Sequence, residues 1–483
     1  MALARSTGAG LCALLALSAP RVARAEATPE GSTFPILSPP AVTRFPDVAY
    51  DPSAGSFLVV SGQQGIAARF VGAAGVEGEP FPISEDPTAY SPRVASAGGG
   101  FIACWLVEAD YSVRCRRIAP GSPPTLGAPQ VLTTGTVSHL ESAPSVACSL
   151  TASECLVTWV EQAELAVRGR RIDLDAEPIG EPIDIAVNDG VFEAFPAVAC
   201  AEARGEFFVV HTREPNDQPM AIAARRSKVG DDSTVGEGFE LFASNGLANY
   251  PEVAYDARRE QYLSISWFIE SNSDVAGRLA AADGAPIGDR IPVAASAGFE
   301  GGDGIGLAFD PAADSYLAVF QGPETPGEPQ QVWAAPVGGD GAPRESFQVT
   351  SGSVDKGVYQ PRVASDGAGR FLVVTVVDYL HIDGQFVKMD VEQGAATGAG
   401  GAGGGSGTGA GDGGDGESAD DAAAVPDGGG CGCMTAPSHR PGERLPLLAA
   451  LLALFASARR RDCRTASPQI RKQIGTPGRR SCR

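Results

Sequence analysis

Seven copies of one short pattern follow each other along most of this chain, and they restrict its fold more than any other feature. The pattern is clear in "FPDVAYDPSAGSFLVVS" from Phe45 and again in "QPRVASDGAGRFLVVT" from Gln360. Repeats of this kind are single structural units that bury their apolar faces against their neighbours. The marker residue of each copy recurs every 46 to 56 residues, at Val48, Val94, Val146, Val198, Val253, Leu307 and Val363.

Each copy divides into runs that are typical of β-strands. A short "PxVA" run and a turn precede a nearly continuous apolar run such as "FLVV", which is typical of a strand covered on both faces. A third run carries arginines, as in "VRCRRI" from Val113, and a fourth follows, as in "FELFA" from Phe239. No helical period is found in the body. The sequence predicts an all-β, seven-bladed β-propeller of four-stranded blades.

The seventh copy lacks a fourth strand, because its third run near Gln385 leads directly into a glycine-rich tract. A matching run, "FPILS" at Phe34–Ser38, precedes the first copy. We therefore predict a propeller over residues 33–391, closed by a strand from the N-terminal side, which limits exposed strand edges. An open solenoid is the alternative, and it would need distinct capping repeats.

The N-terminus resembles a secretory signal peptide. Arg5 gives a basic start, "GLCALLALSAP" is an apolar core, and "ARA" ending at Ala25 is a cleavage site of the small-x-small type. We predict removal of residues 1–25 and export of the remainder. An exported chain can keep disulfides.

The C-terminal part divides into three segments. Residues 394–430 are rich in Gly, Ala, Ser and Asp and predict a disordered tether. Residues 431–461 contain Cys431 and Cys433, the apolar run "LPLLAALLALFASA" and three arginines. This order resembles the MYXO-CTERM sorting signal, and the resemblance implies anchoring of an exported protein at the cell surface, with processing near the cysteines. Residues 462–483 form a basic tail to which we assign no role.

The charge of the exported part limits its partners. Without residues 1–25 and those after Cys433, 23 basic and 56 acidic residues remain, an excess of about 33 negative charges. Such a field repels nucleic acid and anionic membrane surfaces, and it favours cations or basic partners. We expect no nucleic-acid partner, and contact with the envelope membrane only through the C-terminal segment.

Four cysteines of the body flank short turns. Cys104 and Cys115 lie on either side of one hairpin turn, and Cys148 and Cys155 on either side of another. Facing residues of antiparallel strands are close enough for a disulfide, so we predict both bridges. Zinc binding is the alternative, but paired C-x2-C spacing is absent. Cys200 occupies the slot of Cys148 without a second cysteine, which predicts a buried thiol or a bond to another chain.

The sequence contains little that predicts catalysis. The chain has four histidines and none of the nucleophile, phosphate-loop, zinc-protease or EF-hand motifs. His211 aligns with Trp105 and Trp159 of other copies, which favours a packing role. We predict no catalytic residues, although propeller hydrolases and lyases gather carboxylates from separate blades without a linear motif.

Loops on a rigid scaffold usually carry binding. In a propeller, the loops between second and third strands share one face with those between fourth and first strands, and here both are rich in acids and aromatics. They predict either a calcium, sugar or basic-peptide site or a solvated acidic rim, and no other cofactor is indicated. The candidate ligand-binding residues at the channel mouth are His139, Glu193, Tyr250, Asp303, Asp355 and Tyr359.

Together these patterns predict a monomeric, surface-anchored propeller that binds an extracellular protein or glycan without catalysis. A hydrolase or lyase acting on an extracellular polymer, and a structural surface-layer component, are the alternatives.

Overall fold

The computed structural model describes residues 27–391, apart from gaps at 40–43, 63, 136, 138–142, 188–190, 216–218, 232–234, 271–272, 295–303, 324–327 and 351–356. The predicted signal peptide, tether, sorting segment and basic tail lie outside the described residues. Within the described ranges the only helical element is a short 3-10 turn, Glu202–Arg204, and no helix there is long and apolar enough to cross a membrane.

Seven antiparallel sheets form the seven blades, which confirms the predicted all-β propeller. The strands of the first three blades are β2 (Asp47–Asp51), β3 (Ser56–Ser61), β4 (Ile66–Gly72) and β5 (Gly75–Ser84); β6 (Ala89–Ser96), β7 (Phe101–Val107), β8 (Ser112–Ala119), β9 (Thr125–Leu126) and β10 (Gln130–Thr133); and β11 (Ser145–Ser149), β12 (Glu154–Glu161), β13 (Ala166–Asp173) and β14 (Pro178–Ala186).

The remaining blades continue in the same order. Their strands are β15 (Val191–Ala201), β16 (Glu206–Pro215), β17 (Ala221–Lys228) and β18 (Phe239–Ala243); β19 (Leu247–Asp256), β20 (Gln261–Ile269), β21 (Ser273–Ala281) and β22 (Pro286–Ala294); β23 (Ile305–Asp310), β24 (Ser315–Pro323), β25 (Gln330–Gly338) and β26 (Phe347–Gln348); and β27 (Val358–Ser365), β28 (Arg370–Val377), β29 (His381–Met389) and β1 (Ala27–Leu37).

The first strands of the blades line the centre, and each contacts the first strand of the next blade. The contact of β27 with β2 closes the ring. In the second blade the outer strand is interrupted, so that β9 and β10 both pair with β8. The core lies between the blades, where the residue after each marker residue is a buried alanine that permits close packing at the axis: Ala49, Ala95, Ala147, Ala199, Ala254, Ala308 and Ala364.

Strand β1 is the outer strand of the seventh blade. It pairs antiparallel with β29, from Ala27 opposite Met389 to Leu37 opposite Ile382. The strand begins at Ala27, earlier than the residue 33 from which the sequence predicted the propeller. Phe34 and Ile36, from the predicted closing run, lie on β1, and Ile36 is buried. The first and last strands of the propeller are therefore neighbours in one sheet.

A bulge marks the start of the first strand in several blades. The pairing register shifts between Tyr90 and Arg93, and equivalent shifts occur in the fourth, fifth and seventh blades. In five of the seven copies, the residue before the proline has φ between 49° and 55°, which is unusual for a residue other than glycine. These residues are Phe45, Ser91, Phe195, Tyr250 and Gln360.

Arginines of the third strands connect neighbouring blades. Arg69 donates from Nη1 to the carbonyl of Ile36 on β1 over 3.1 Å, and from Nε and Nη2 to Gly78 of its own blade. Arg116, Arg170 and Arg278 make the same pair of contacts in their blades. Because Ile36 belongs to β1, the Arg69 contact joins the two ends of the ring.

Aspartates at the turns after the first strands add a second connection. Asp310 accepts from Ala313 of its own turn at 2.7 Å, and from Ser365 and Gly369 of the next blade at 2.6 and 2.8 Å. Asp51 connects the first blade to Ser96 of the second in the same way. A single carboxylate thus holds its own turn and the adjacent blade.

Candidate functional site

One face of the ring carries the loops in which the sequence predicted a site. We call it the mouth face, and it contains the connections between second and third strands and those leading to the next blade. The opposite face carries the other turns. Because β29 runs toward the opposite face and its Met389 pairs with Ala27, the chain enters and leaves the propeller on that face.

The structure places three of the six predicted binding residues. Glu193 lies in β15 and is fully buried, and Tyr250 lies in β19 and is 4% exposed, so neither projects from a loop as expected. Tyr359 lies in β27 and is half-buried. The difference arises because the bulged entry strands reach further toward the mouth than the sequence pattern indicated. His139, Asp303 and Asp355 lie outside the described residues.

Glu193 forms a buried pair with His211. The Glu193 Oε2 atom is 2.7 Å from Nδ1 of His211, and both side chains are at most 2% exposed. The Arg213 Nε atom lies 3.6 Å from Glu193 Oε1. In the second blade the corresponding positions hold Ala89 and Trp105, which are both buried in one apolar cluster. The predicted packing position of His211 is confirmed, but its ionisable partner was missed, because the carboxylate is 18 residues away on another strand.

Four charged residues occupy the position before the marker residue on the channel-lining strands. Asp47, Arg93, Glu252 and Arg362 are each at most 2% exposed. Asp47 Oδ2 accepts from the backbone N–H of Val94 over 2.8 Å, and Arg362 Nη1 donates to the carbonyl of Pro361 over 2.9 Å. The two acids and two bases balance each other in charge. In the sequence, this position is the variable residue x of the "PxVA" run. It was not used to predict a site, although it is charged in four of the copies.

We call these four charged residues the axial cluster. Burial has the largest effect on the pKa values of Asp47 and Arg93 in it. Burial raises the pKa of Asp47 to about 6, although the nearby Arg93 and Arg362 act in the opposite direction. Burial and the neighbouring Arg362 lower the pKa of Arg93 to about 10. Desolvation opposes the charged form of each group, which is the expected result of removing water from a carboxylate or a guanidinium. The cluster lies within the ring, where solvent does not reach it.

Acidic side chains of the mouth face are held by arginines. Asp110 is 2.6 Å from Arg114, and Glu270 is 3.1 Å from Arg290. Burial opposes ionisation of Asp110, but hydrogen bonds from Ser112 and Arg114 outweigh it and lower its pKa. Among the described residues, no three His, Cys, Asp or Glu side chains are grouped so that they could hold a metal ion. Asp110 and Glu270 thus each form an ion pair with an arginine of the same blade.

Apolar side chains are exposed on the same face. Tyr111, Val187, Ile269 and Leu380 lie at its connections and are 39%, 37%, 37% and 53% exposed. Beneath them, the ring centroids of Phe195 and Tyr250 are 4.5 Å apart, and Trp267 lies 6.2 Å from Tyr250. These contacts join the fourth and fifth blades. The mouth face thus combines exposed apolar groups with a packed aromatic layer.

Both predicted disulfides are present. Cys104 on β7 faces Cys115 on β8, and Cys148 on β11 faces Cys155 on β12. Cys200 takes part in neither bond and is buried, with Sγ 3.6 Å from Oε2 of Glu202. Disulfides persist in oxidising compartments, which is consistent with an exported protein.

No protein-family model and no curated protein matches this chain. Among solved structures, a protein of unknown function from Dyadobacter fermentans DSM 18053 is 11% identical with a TM-score of 0.46, over 75% of this chain and 99% of that one. Kuenenia stuttgartiensis hydrazine synthase is 11% identical with a TM-score of 0.47, over 71% and 96%. The subtype N10 neuraminidase-like protein of A/little yellow-shouldered bat/Guatemala/060/2010 is 11% identical with a TM-score of 0.43, over 74% and 98%. Similarity at this level carries no argument about activity.

Proposed function

We propose that this chain is an exported, surface-anchored propeller that binds an extracellular protein or glycan through its mouth face and does not catalyse a reaction on it. The observation that carries the proposal is the separation of two kinds of side chain. The ionisable groups around the channel are buried, whereas apolar groups such as Tyr111 and Leu380 are exposed on the mouth face.

The burial of the ionisable groups supports binding over catalysis. A general acid or base must come within hydrogen-bond reach of its substrate. Asp47 and Glu252 are enclosed at the axis together with arginines, and Glu193 is in contact with His211. A polymer at the mouth face would meet none of these carboxylates without displacement of the strands that cover them.

The direction in which the chain leaves the ring supports surface display. Residues 390 and 391 follow β29 at the opposite face. If residues 394–430 form a tether to an anchor at Cys431 or Cys433, that tether starts from the face remote from the binding loops. A Gly-rich coil of that length has a typical end-to-end distance of about 30 to 37 Å. The mouth face would then point away from the envelope.

The experiment combines binding with product analysis. The full-length chain, exported from a host that processes its signal, is incubated with xylan, chitin, dextran and poly-L-lysine. Retention on one of these polymers without released fragments supports the proposal. Soluble fragments whose release requires the protein would establish the hydrolase or lyase alternative. Self-association at micromolar concentration without retention on any polymer would instead support the surface-layer alternative.

A separate experiment tests whether the protein is displayed at the cell surface. If residues 394–430 form an accessible tether, protease added to intact cells should remove the propeller in one step. A Cys431→Ala/Cys433→Ala variant should appear in the medium or stay unprocessed. Wild-type protein found only inside cells would contradict the proposal.

A further inference from the structure

A cavity opens on the opposite face where the first and seventh blades meet. Its volume is about 310 Å³, at the lower end of the range that is typical of small-molecule sites. Its lining includes Glu30 of β1, Ala73 in the turn between β4 and β5, and, from the seventh blade, Asp366, Arg370 and Lys388. The cavity is therefore small, rich in ionisable groups and built from both ends of the propeller.

Two cations of the cavity face each other across neighbouring strands. Arg370 on β28 pairs with Lys388 on β29, so both side chains lie on the same face of the sheet. Like charges at directly opposite positions destabilise a sheet. In the fourth blade the same two positions hold Glu206 and Lys228, which carry opposite charges. The blade fold therefore does not require two cations here, and an anionic group near both would relieve their repulsion.

The Arg370 side chain is fixed from three sides at the cavity wall. Its guanidinium carbon lies 3.6 Å from the ring centroid of Phe386. Nε donates to Oε2 of Glu30 over 2.6 Å, and Nη1 donates to the carbonyl of Ala73 over 2.7 Å. Glu30 thus offsets the charge of Arg370. Lys388 is exposed, and no carboxylate of the described residues lies within ion-pair distance of it.

A carboxylate lies beside the two cations in the same cavity. Asp366 N donates to the carbonyl of Arg370 over 2.9 Å, so Asp366, Arg370 and Lys388 form a row across three chain segments, spaced by about 4.8 Å. Oδ1 of Asp366 accepts from the N–H groups of Ala368 and Arg370 at 2.8 and 3.1 Å. Oδ2 accepts no hydrogen bond from the described part of the chain. Burial raises the pKa of Asp366, and a cation beside Oδ2 would oppose that effect.

We infer that this cavity is a binding site for a free α-amino acid. The ligand carboxylate binds between Lys388 and Arg370, and the ligand ammonium group binds Oδ2 of Asp366. The adjacent positions of the carboxylate and the cations suit a ligand whose two opposite charges are on neighbouring atoms. Asp366 and Glu30 would repel a phosphate ion, and the two cations would repel a simple amine.

The bound amino acid would also stabilise the closed ring. The cavity lining comes from β1, the first blade and the seventh blade, so the complete site exists only when the ring is closed. A ligand that binds only this state raises the stability of the folded chain. The site lies on the face from which the chain leaves the propeller, and it is separate from the mouth face.

The test measures binding of L-glutamine, whose side chain is uncharged, to the full-length exported chain by isothermal titration calorimetry. Two analogues each lack one charge: glutaramate has no ammonium group, and γ-aminobutyramide has no carboxylate. Each analogue should bind at least about tenfold more weakly than L-glutamine, because each loses a charge-assisted contact. Inorganic phosphate is the anion probe and should bind no more tightly than glutaramate.

Two substitutions test the assigned contacts. Lys388→Met and Asp366→Asn should each weaken L-glutamine binding roughly tenfold. Lys388 is exposed, and asparagine keeps an oxygen for the turn at Ala368, so both variants should melt within about 2 °C of wild type. The matched control is Lys228→Met, which changes the equivalent lysine of the fourth blade and should leave the affinity unchanged.

Each contrary result overturns a defined part of the inference. Glutaramate or phosphate that binds as tightly as L-glutamine would show a general anion site and overturn the amino-acid assignment. Absence of L-glutamine binding, or equal losses in Lys388→Met and Lys228→Met, would overturn the cavity as the site. None of these results depends on retention of a polymer at the mouth face, so the inference and the proposed function are tested separately.

Discussion

The carboxylate of Asp47 accepts a hydrogen bond from the backbone N–H of Val94 at 2.8 Å, although the two residues belong to different blades. Ser145 and Val198 repeat the relationship at 3.0 Å two blades further on. The residue before the marker valine therefore connects one channel-lining strand to the next. Specific polar contacts thus supplement apolar packing at the axis.

Asp47→Asn should change how stability depends on pH. The pKa of Asp47 is about 6 in the folded chain, above the usual 3.8 of an aspartate side chain, so the folded state holds this proton more tightly than the unfolded state. Wild-type stability should therefore fall as pH rises from about 4 to above 6, by up to about 3 kcal/mol from this group. The stability of the Asp47→Asn variant should not show this part of the decrease with pH. Urea unfolding across this range measures the difference, and parallel curves for the two proteins would contradict the assignment.

Arg69→Met should weaken the junction between β1 and the first blade. Three hydrogen bonds to backbone carbonyls are lost, and we expect a decrease of about 1 to 3 kcal/mol in the free energy of unfolding. Arg225 occupies the same strand position in the fourth blade, and its guanidinium contact is with Gly236 of its own blade. Arg225→Met is thus the matched control, and it should decrease the free energy of unfolding by less than Arg69→Met does. Equal losses in urea unfolding would show that the contact across the seam has no special role.

The Glu193–His211 pair should behave as a unit. Glu193→Ala and His211→Trp should each decrease the free energy of unfolding by about 3 kcal/mol, because either change leaves a buried polar partner. The double change Glu193→Ala/His211→Trp recreates the apolar pair of the second blade, Ala89 and Trp105, and should recover most of that loss. A double-mutant cycle in urea measures the coupling. Additive effects of the two substitutions would mean that the 2.7 Å contact contributes nothing.

Removal of either disulfide should destabilise the chain through its unfolded state. Cys104 and Cys115 are 11 residues apart, and Cys148 and Cys155 are 7 apart. Loop-closure entropy predicts losses of about 3 and about 2 kcal/mol for paired Cys→Ala changes. Reduction of both bridges in the wild-type protein should decrease the free energy of unfolding by the sum of the two losses. Thermal or urea unfolding measures this decrease. A stability unaffected by reductant would contradict the bridges.

Much of the fold was visible in the sequence because each blade repeats the same local pattern. The seven marker residues predicted the number of blades, and the cysteine positions predicted the pairing of two hairpins. The arginine contacts were not predictable, since Arg69 reaches Ile36, which only ring closure brings near. Burial of Glu193 was missed for a similar reason: a carboxylate beside aromatics is typical of an exposed loop until a histidine from the adjacent strand covers it.

The central claim, that the mouth face binds an extracellular ligand without transforming it, is tested most directly by amide hydrogen exchange with and without the polysaccharide that the chain retains. The account predicts protection at the turns around Tyr111 and Leu380, none at opposite-face turns such as that at Gly284, and a polymer of unchanged length. Protection confined to the opposite face, or a shortened polymer, would contradict it.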